Sequence, residues 1–279
     1  MRDIVAAILG IVLLAGTAQA DGPPQRVVSA GGDLTEIIYA LDAQDRLVGV
    51  DSTSNYPATA KDLAQIGYVR RVAPEGILSL KPDMILGAYD MGPPAAIGQL
   101  KAAGVKVALA PRGDLPGGIP AKIRFVGEAL GLSAKAEMLA SKVAADLKRA
   151  MTQYGKAGPG PKVIFILSLG EGGVLVGGRG SSAEAIIQMA GGRNAATGFD
   201  GYKPMSREAI LASQPEVLLM MESSVQRYGG IEAVLKRPEL ASTPAALNGK
   251  SIAMDGMLLL GFGPRTPSAV ARLGEYLHR

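Results

Sequence analysis

Apolar residues fall in two rhythms along this chain, and the two alternate. Short runs rich in β-branched side chains read as strands: "RVVSA" (26–30), "LVGV" (47–50), "DMILGA" (83–88) and "VKVALA" (105–110). Between them "DLTEIIYALDA" and "AAIGQLKAAG" have the three-and-four spacing of helices, the second stopping at Gly104. A mixed polar and apolar stretch follows. Within it the residues from Ser133, read as an N-cap, to Tyr154 keep helical spacing with no Gly or Pro, enough for one helix of about 33 Å. "GKAGPGPK" (155–162) then breaks the pattern as a linker. Alternation restarts with "KVIFILSL", "GVLVGG", the helix "SAEAIIQMAGG", the strands "EVLLMM" and "SIAM", and a last helix "TPSAVARLGEYL". The rhythm predicts an α/β protein with two lobes, each around a parallel or mixed sheet, joined by one long helix. The divisions are an N-terminal lobe over 21–117, a connecting region over 118–156 and a C-terminal lobe over 157–279.

One unit occurs twice. "GYVRRVAPEGILSLKPDMIL" begins at Gly67 and "GYKPMSREAILASQPEVLLM" at Gly201. Each copy predicts a Gly-Tyr loop, a helix opened by Pro or Ser with Glu in its first turn, and a strand after Pro82 or Pro215. Loops of this kind gather at one edge of an open α/β sheet, so two facing lobes would hold a ligand between them.

Composition narrows the classes. Residues 1–20 combine Arg2, the apolar "IVAAILGIVLLAG" and Ala18-Gln19-Ala20, which reads as a cleavable secretory signal. With no cysteine there is no disulfide, thiolate metal site, cysteine nucleophile or lipid-bearing N-terminal cysteine. A soluble periplasmic protein, not lipid-anchored, fits. The single histidine, His278, stands beside the C-terminus and excludes poly-histidine metal sites and a Ser-His hydrolase. A net charge of +4, without basic runs, argues against a nucleic-acid partner and allows an acidic ligand.

Candidate residues cluster near the expected loops. Tyr68 is a potential phenolate donor for Fe(III), with Arg70 and Arg71 close behind; a half-buried loop tyrosine is the alternative. Arg70, Arg71, Arg179 and Arg227 can neutralise carboxylates by bidentate contacts, or stand solvated. Gly178-x-Gly180-x-x-Ala183, with Asp200 further on, loosely matches a dinucleotide fingerprint. Without its third glycine it reads as a tight turn, or as a helix start that receives an anionic group with Arg179. Glu75 and Glu208 hold matching places in the repeat, where the helix dipole alone favours an acid; as a pair they form one docking carboxylate per lobe. Tyr202 and a flexible loop over 254–267, with Phe262 either against a flat ligand or simply packed, complete the set.

Taken together, "GYVR", "EGILSLKPDMIL", "GRGSSAEAIIQMAGGRNAA" and "LLLGFGPRTP" resemble the periplasmic haem-binding proteins of bacterial ABC haem importers, across essentially the whole mature chain. "SLKPDMIL" alone marks the wider, helix-linked (class III) group of substrate-binding proteins, including siderophore and cobalamin binders. The resemblance implies a cleft between lobes on a rigid connecting helix, with ferric haem as transported ligand and no catalysis. It makes Tyr68 the axial iron ligand and Arg70 its basic support. Glu75 and Glu208 become contacts to the two subunits of an inner-membrane ABC permease. An upstream donor such as an outer-membrane receptor and a monomeric carrier are implied as well. The second-lobe arginine of such proteins has no clear counterpart: Ser223 stands where it is expected, and Arg227 lies closer to Gly229-Gly230. A siderophore or corrinoid binder of the same fold is the nearer alternative, and a periplasmic enzyme the remote one.

Overall fold

The computed structural model describes residues 22–115, 117–155, 159–170 and 173–279; the leader expected over 1–20 lies outside them. The first block of apolar runs becomes a parallel four-stranded sheet of β1 (Val27–Ala30), β2 (Leu47–Val50), β3 (Met84–Gly87) and β4 (Lys106–Leu109), in the order β2-β1-β3-β4. Helices α1 (Gly32–Ala40), α2 (Pro74–Ser79) and α3 (Pro94–Ala102) make the crossovers that parallel strands require. After α4 (Gly118–Ala129) comes α5 (Ser133–Tyr154), the long connecting helix.

The second block is a mixed sheet of β5 (Lys162–Gly170), β6 (Gly173–Gly177), β8 (Tyr202–Met205), β9 (Val217–Met221) and β10 (Ser251–Met254), ordered β10-β9-β5-β6-β8. The short β7 (Arg193–Asn194) pairs with one end of β5. Around them lie α6 (Ser182–Met189), α7 (Arg207–Ser213), α8 (Glu222–Arg227), α9 (Ile231–Leu235), α10 (Pro244–Leu247), α11 (Gly256–Leu260) and α12 (Thr266–Leu277).

Period-two alternation divides each sheet between two cores. Val27, Met84, Leu86, Val163, Phe165, Val217 and Leu219 face a central core that runs through both lobes along α5. Their neighbours Val28 and Ile85 face an outer core of the first lobe, and Ile164, Ile166, Leu218 and Met220 one of the second. The buried stripe of α5 is Ala136, Ala140, Val143, Leu147 and Ala150, a four-three repeat that lays one helix face against both lobes. Small residues bring α5 close to α4: a Cβ on Gly127 would stand 2.0 Å from that of Ala136. This contact requires glycine despite its cost of about 1 kcal/mol in a helix interior.

Three expectations are corrected. Ser133 is the first helical residue of α5 and not its cap; Leu132 is the N-cap, and no side chain caps it. The joint is tight because the Leu132 amide donates to the Gly127 carbonyl at 2.6 Å while the Leu132 carbonyl accepts from the Ala136 amide at 3.0 Å. The segment 254–267 is not an open loop: Asp255 caps α11 through the Leu258 amide at 2.8 Å, and Thr266 opens α12. In the second copy of the repeat Tyr202 begins a strand, because Gly177 of β6 offers an edge that pairs with it.

The repeat is otherwise alike in both places. Pro74 and Ser206 open α2 and α7, and Ile77 and Ile210 are fully buried two residues after the glutamates. Lys81 and Gln214, each just before the proline, both adopt left-handed φ near 50° (49° and 50°).

Candidate functional site

Carboxyl ends of first-lobe strands open onto a groove between the lobes, the position at which open α/β sheets take ligands. The groove holds a cavity of about 630 Å³. Tyr68, Arg70, Tyr89 and Asp90 form its first-lobe wall; Leu167, Met221, Met257 and Leu260 give the second-lobe side an apolar surface, with Ser223 and Gln226 of α8 beside it.

The Tyr68 loop is built by backbone bonds. The Ser52 amide donates to the Gly67 carbonyl at 2.8 Å, the Arg71 amide to the Tyr68 carbonyl at 2.7 Å, and the Gly92 amide to the Val69 carbonyl at 3.0 Å. Beneath it the buried Asp51 carboxylate accepts from the Gly31 and Thr53 amides, both at 3.1 Å, and from the Ser54 hydroxyl at 3.0 Å. Burial pushes its pKa up against those bonds. Tyr68 itself is 40 % exposed. Arg70 donates to its phenol oxygen and to Asp90 at 2.6 Å, with the guanidinium carbon 5.6 Å from the Tyr68 ring centre. Burial pulls the Arg70 pKa down, and the Asp90 carboxylate more than offsets this, holding it above its ordinary value. The result is a reachable phenol oxygen with a fixed positive charge against it.

Two ionic tethers join the lobes, and one of them, Lys122 with Asp33, lines the groove. Lys122 of α4 is buried against the Asp33 carboxylate of α1 and also donates to the carbonyls of Gly261 and Phe262 from the other lobe, each at 3.3 Å. Gly113 makes room for it, since a Cβ there would stand 2.4 Å from Lys122 Cε. Arg265 grips the buried Glu36 by two bonds, 2.9 and 2.5 Å, and lies 3.7 Å from the centre of the Tyr56 ring. Burial raises the Glu36 pKa, opposed by the hydrogen bond and charge of Arg265.

Among the candidates, Tyr68 and Arg70 come together in the groove. Arg71 is exposed and does not line it. Arg179 is paired with Asp200 at 3.0 Å, outside the lining. The start of α6 is spent internally: Ser181 accepts from the Glu184 amide at 3.1 Å, and Glu184 accepts from the Gly180 amide at 2.7 Å. Tyr202 packs edge-on against Phe165, 6.4 Å between centres, also outside the lining. Arg227 ends α8 on the exposed side, whereas Ser223 faces the groove. Of the two readings of Phe262 its burial favours packing: it lines the groove but is only 2 % exposed, and its side chain belongs to the central core. Glu75 and Glu208 are exposed in the first turns of α2 and α7, with no ion pair among the described residues.

Sequence reasoning missed Tyr89, Asp90, Lys122, Asp33 and the Glu36–Arg265 pair. "AYD" directly after a strand run was a usable signal for the first two, since side chains there reach the ligand edge. Partners 89 and 229 residues apart in sequence leave no local trace.

The periplasmic binding protein family profile matches residues 27–258. Among solved structures, the periplasmic haem-binding protein RhuT from Roseiflexus sp. RS-1 in its apo form is 40 % identical, with TM-score 0.87, covering 91 % of this chain and 98 % of that one. The periplasmic vitamin B12-binding protein BtuF of Vibrio cholerae is 25 % identical, with TM-score 0.78 and coverages of 92 % and 97 %. An ABC transporter substrate-binding lipoprotein of Bacillus subtilis (strain 168), YvrC, is 28 % identical over 259 residues, 91 % of this chain and 80 % of the relative. Two α/β lobes about a shared cleft, the connecting helix between them and a profile spanning nearly the whole described chain agree: the protein belongs to the periplasmic binding protein family.

Proposed function

We propose that this protein captures ferric haem in the periplasm and delivers it to an inner-membrane ABC permease, with Tyr68 as the iron ligand. The observation that carries this reading is the Tyr68 phenol oxygen, open to the groove and held by Arg70. A phenolate is a hard anionic donor suited to Fe(III), and the Arg70 bond fixes the position of the oxygen. The apolar side of Leu167, Met221, Met257 and Leu260 suits the face of a porphyrin. The protein's own part is to bind, orient and release; no bond in the macrocycle changes. We assign export to the leader over 1–20 and expect a monomeric carrier loaded by an outer-membrane receptor.

A corrinoid is the second reading, because BtuF is named for vitamin B12. Titrating the mature chain with hemin and with cyanocobalamin separates them. Hemin is expected to give a saturable, tyrosinate-type ferric spectrum and cyanocobalamin no change; the reverse outcome replaces haem by a corrinoid.

Docking on the permease is assigned to Glu75 and Glu208. Each occupies the same turn of the repeated unit, exposed, over a buried isoleucine. The Glu208 pKa is lowered by its own backbone amide and the Ser206 hydroxyl, which keeps it ionised. Reversing both charges, Glu75→Arg with Glu208→Arg, is expected to leave hemin affinity unchanged and to abolish uptake in reconstituted vesicles. Normal uptake would reduce both residues to helix-dipole partners.

A further inference from the structure

We infer that Arg112 is a second carboxylate anchor of the groove, taking one acidic arm of the cargo while it ties the two lobes together. The inference rests on the haem reading, since haem carries two carboxylates.

Part of the arrangement around Tyr68 recurs one strand further on, the ring contact and the aspartate but not the bond from arginine to phenol. Arg112 lies with its guanidinium carbon 5.6 Å from the Tyr89 ring centre, as Arg70 does over Tyr68. Asp114 holds Arg112 by three bonds of 2.8, 2.9 and 2.6 Å, as Asp90 holds Arg70. Tyr89 and Asp90 follow β3; Arg112 and Asp114 follow β4. Both tyrosines and both aspartates line the groove.

Donor use supplies the second argument. A guanidinium has five N–H groups. In Arg112 the Nε and one terminal nitrogen serve Asp114, and that same terminal nitrogen donates to the Gly180 carbonyl of the second lobe at 2.9 Å. The other terminal nitrogen has no protein acceptor among the described residues, and the side chain is 54 % exposed. A cargo carboxylate can therefore be received without breaking the inter-lobe bond.

Charge supplies the third. The basic side chains lining the groove are Arg70 and Lys122, and Lys122 is buried with its donors already engaged. The second-lobe lining brings Glu222 and Asp255 but no cation, and Ser223 is neutral. Each nitrogen of Arg70 already faces Asp90 or the Tyr68 oxygen, so a dianionic cargo meets no lining cation with an unengaged nitrogen. Arg112 does not itself line the groove; held between Tyr89 and Asp114, which do, it stands next to the lining with one terminal nitrogen that has no protein acceptor among the described residues.

The test compares hemin with hemin dimethyl ester, which lacks the carboxylates, on wild type, Arg112→Ala and Arg112→Lys, with folding checked by circular dichroism. Arg112→Ala is expected to raise the Kd for hemin about tenfold or more, the loss of one charge-assisted hydrogen bond. The ferric spectrum should stay that of the wild type, because Tyr68 is untouched. Ester affinity should fall clearly less than hemin affinity in Arg112→Ala, by the share of the lobe tie alone, and Arg112→Lys should recover hemin binding in part, as a point charge without the fork. Equal losses for hemin and ester would overturn the anchor and leave only the lobe tie; unchanged hemin affinity would overturn it outright. Failure of the wild type to bind hemin at all would overturn the haem reading and the anchor with it, an outcome distinct from hemin bound without dependence on Arg112.

Discussion

The Tyr68→Ala variant is expected to bind hemin about a hundredfold more weakly or worse, and to lose the tyrosinate bands of the ferric spectrum. Removing outer-shell partners of a metal ligand already costs 10- to 100-fold in affinity, and on the proposed reading this variant removes the ligand itself. Arg70 and Asp90 would stay paired at 2.6 Å, so the groove should keep its charge and shape and the loss would be one of iron ligation. Tyr68→Phe sharpens the comparison by retaining the ring beneath Arg70 and deleting only the oxygen. The measurement is an absorption titration of all three proteins. A phenylalanine variant with the affinity and spectrum of the wild type would remove Tyr68 from the iron and leave it as a packing residue.

The largest stability effect is expected at the back of the groove. Asp33→Ala leaves the Lys122 ammonium buried with only the Gly261 and Phe262 carbonyls for company. Breaking one side of a buried ion pair costs about 3–5 kcal/mol, because the remaining charge has lost both water and counter-ion. The double variant Asp33→Ala with Lys122→Met should recover most of that loss, since removing both charges also removes both desolvation penalties. Urea unfolding of the single and double variants reads this as a fall and recovery of the midpoint. A single variant as stable as the wild type would mean that Lys122 reaches solvent when unpaired. The pair joins α1 to α4 and, through the carbonyls, to the segment after α11, so its loss should also loosen the lobes.

Sequence alone carried the architecture a long way, for a local reason. Strand runs and helix spacings are properties of neighbouring residues, and the alternation of Val163, Ile164, Phe165 and Ile166 between two cores is already written in period two. The bounds of α5 and α12 could be read because no Gly or Pro interrupts α5 and because the composition changes at the ends of both. Tyr68 and Arg70 were readable as a pair because they are two positions apart in one short loop. The twin Glu-x-Ile units were readable because the chain repeats them.

What only the tertiary structure decided is which charges meet. Arg71 and Arg70 are neighbours in sequence, yet one faces the groove wall and the other does not, since consecutive residues of a single 3-10 turn, Val69–Arg71, point in different directions. Local sequence left Phe262 open between ligand contact and packing; its carbonyl accepts from Lys122 while its side chain joins the central core. Arg265 found Glu36 and Arg112 found the far lobe's Gly180, both across the two lobes. Side-chain pairing across a cleft depends on how two lobes are set against one another. That setting comes from the packing of α5 against α4 and α12, a sum over many contacts that no short stretch of sequence contains.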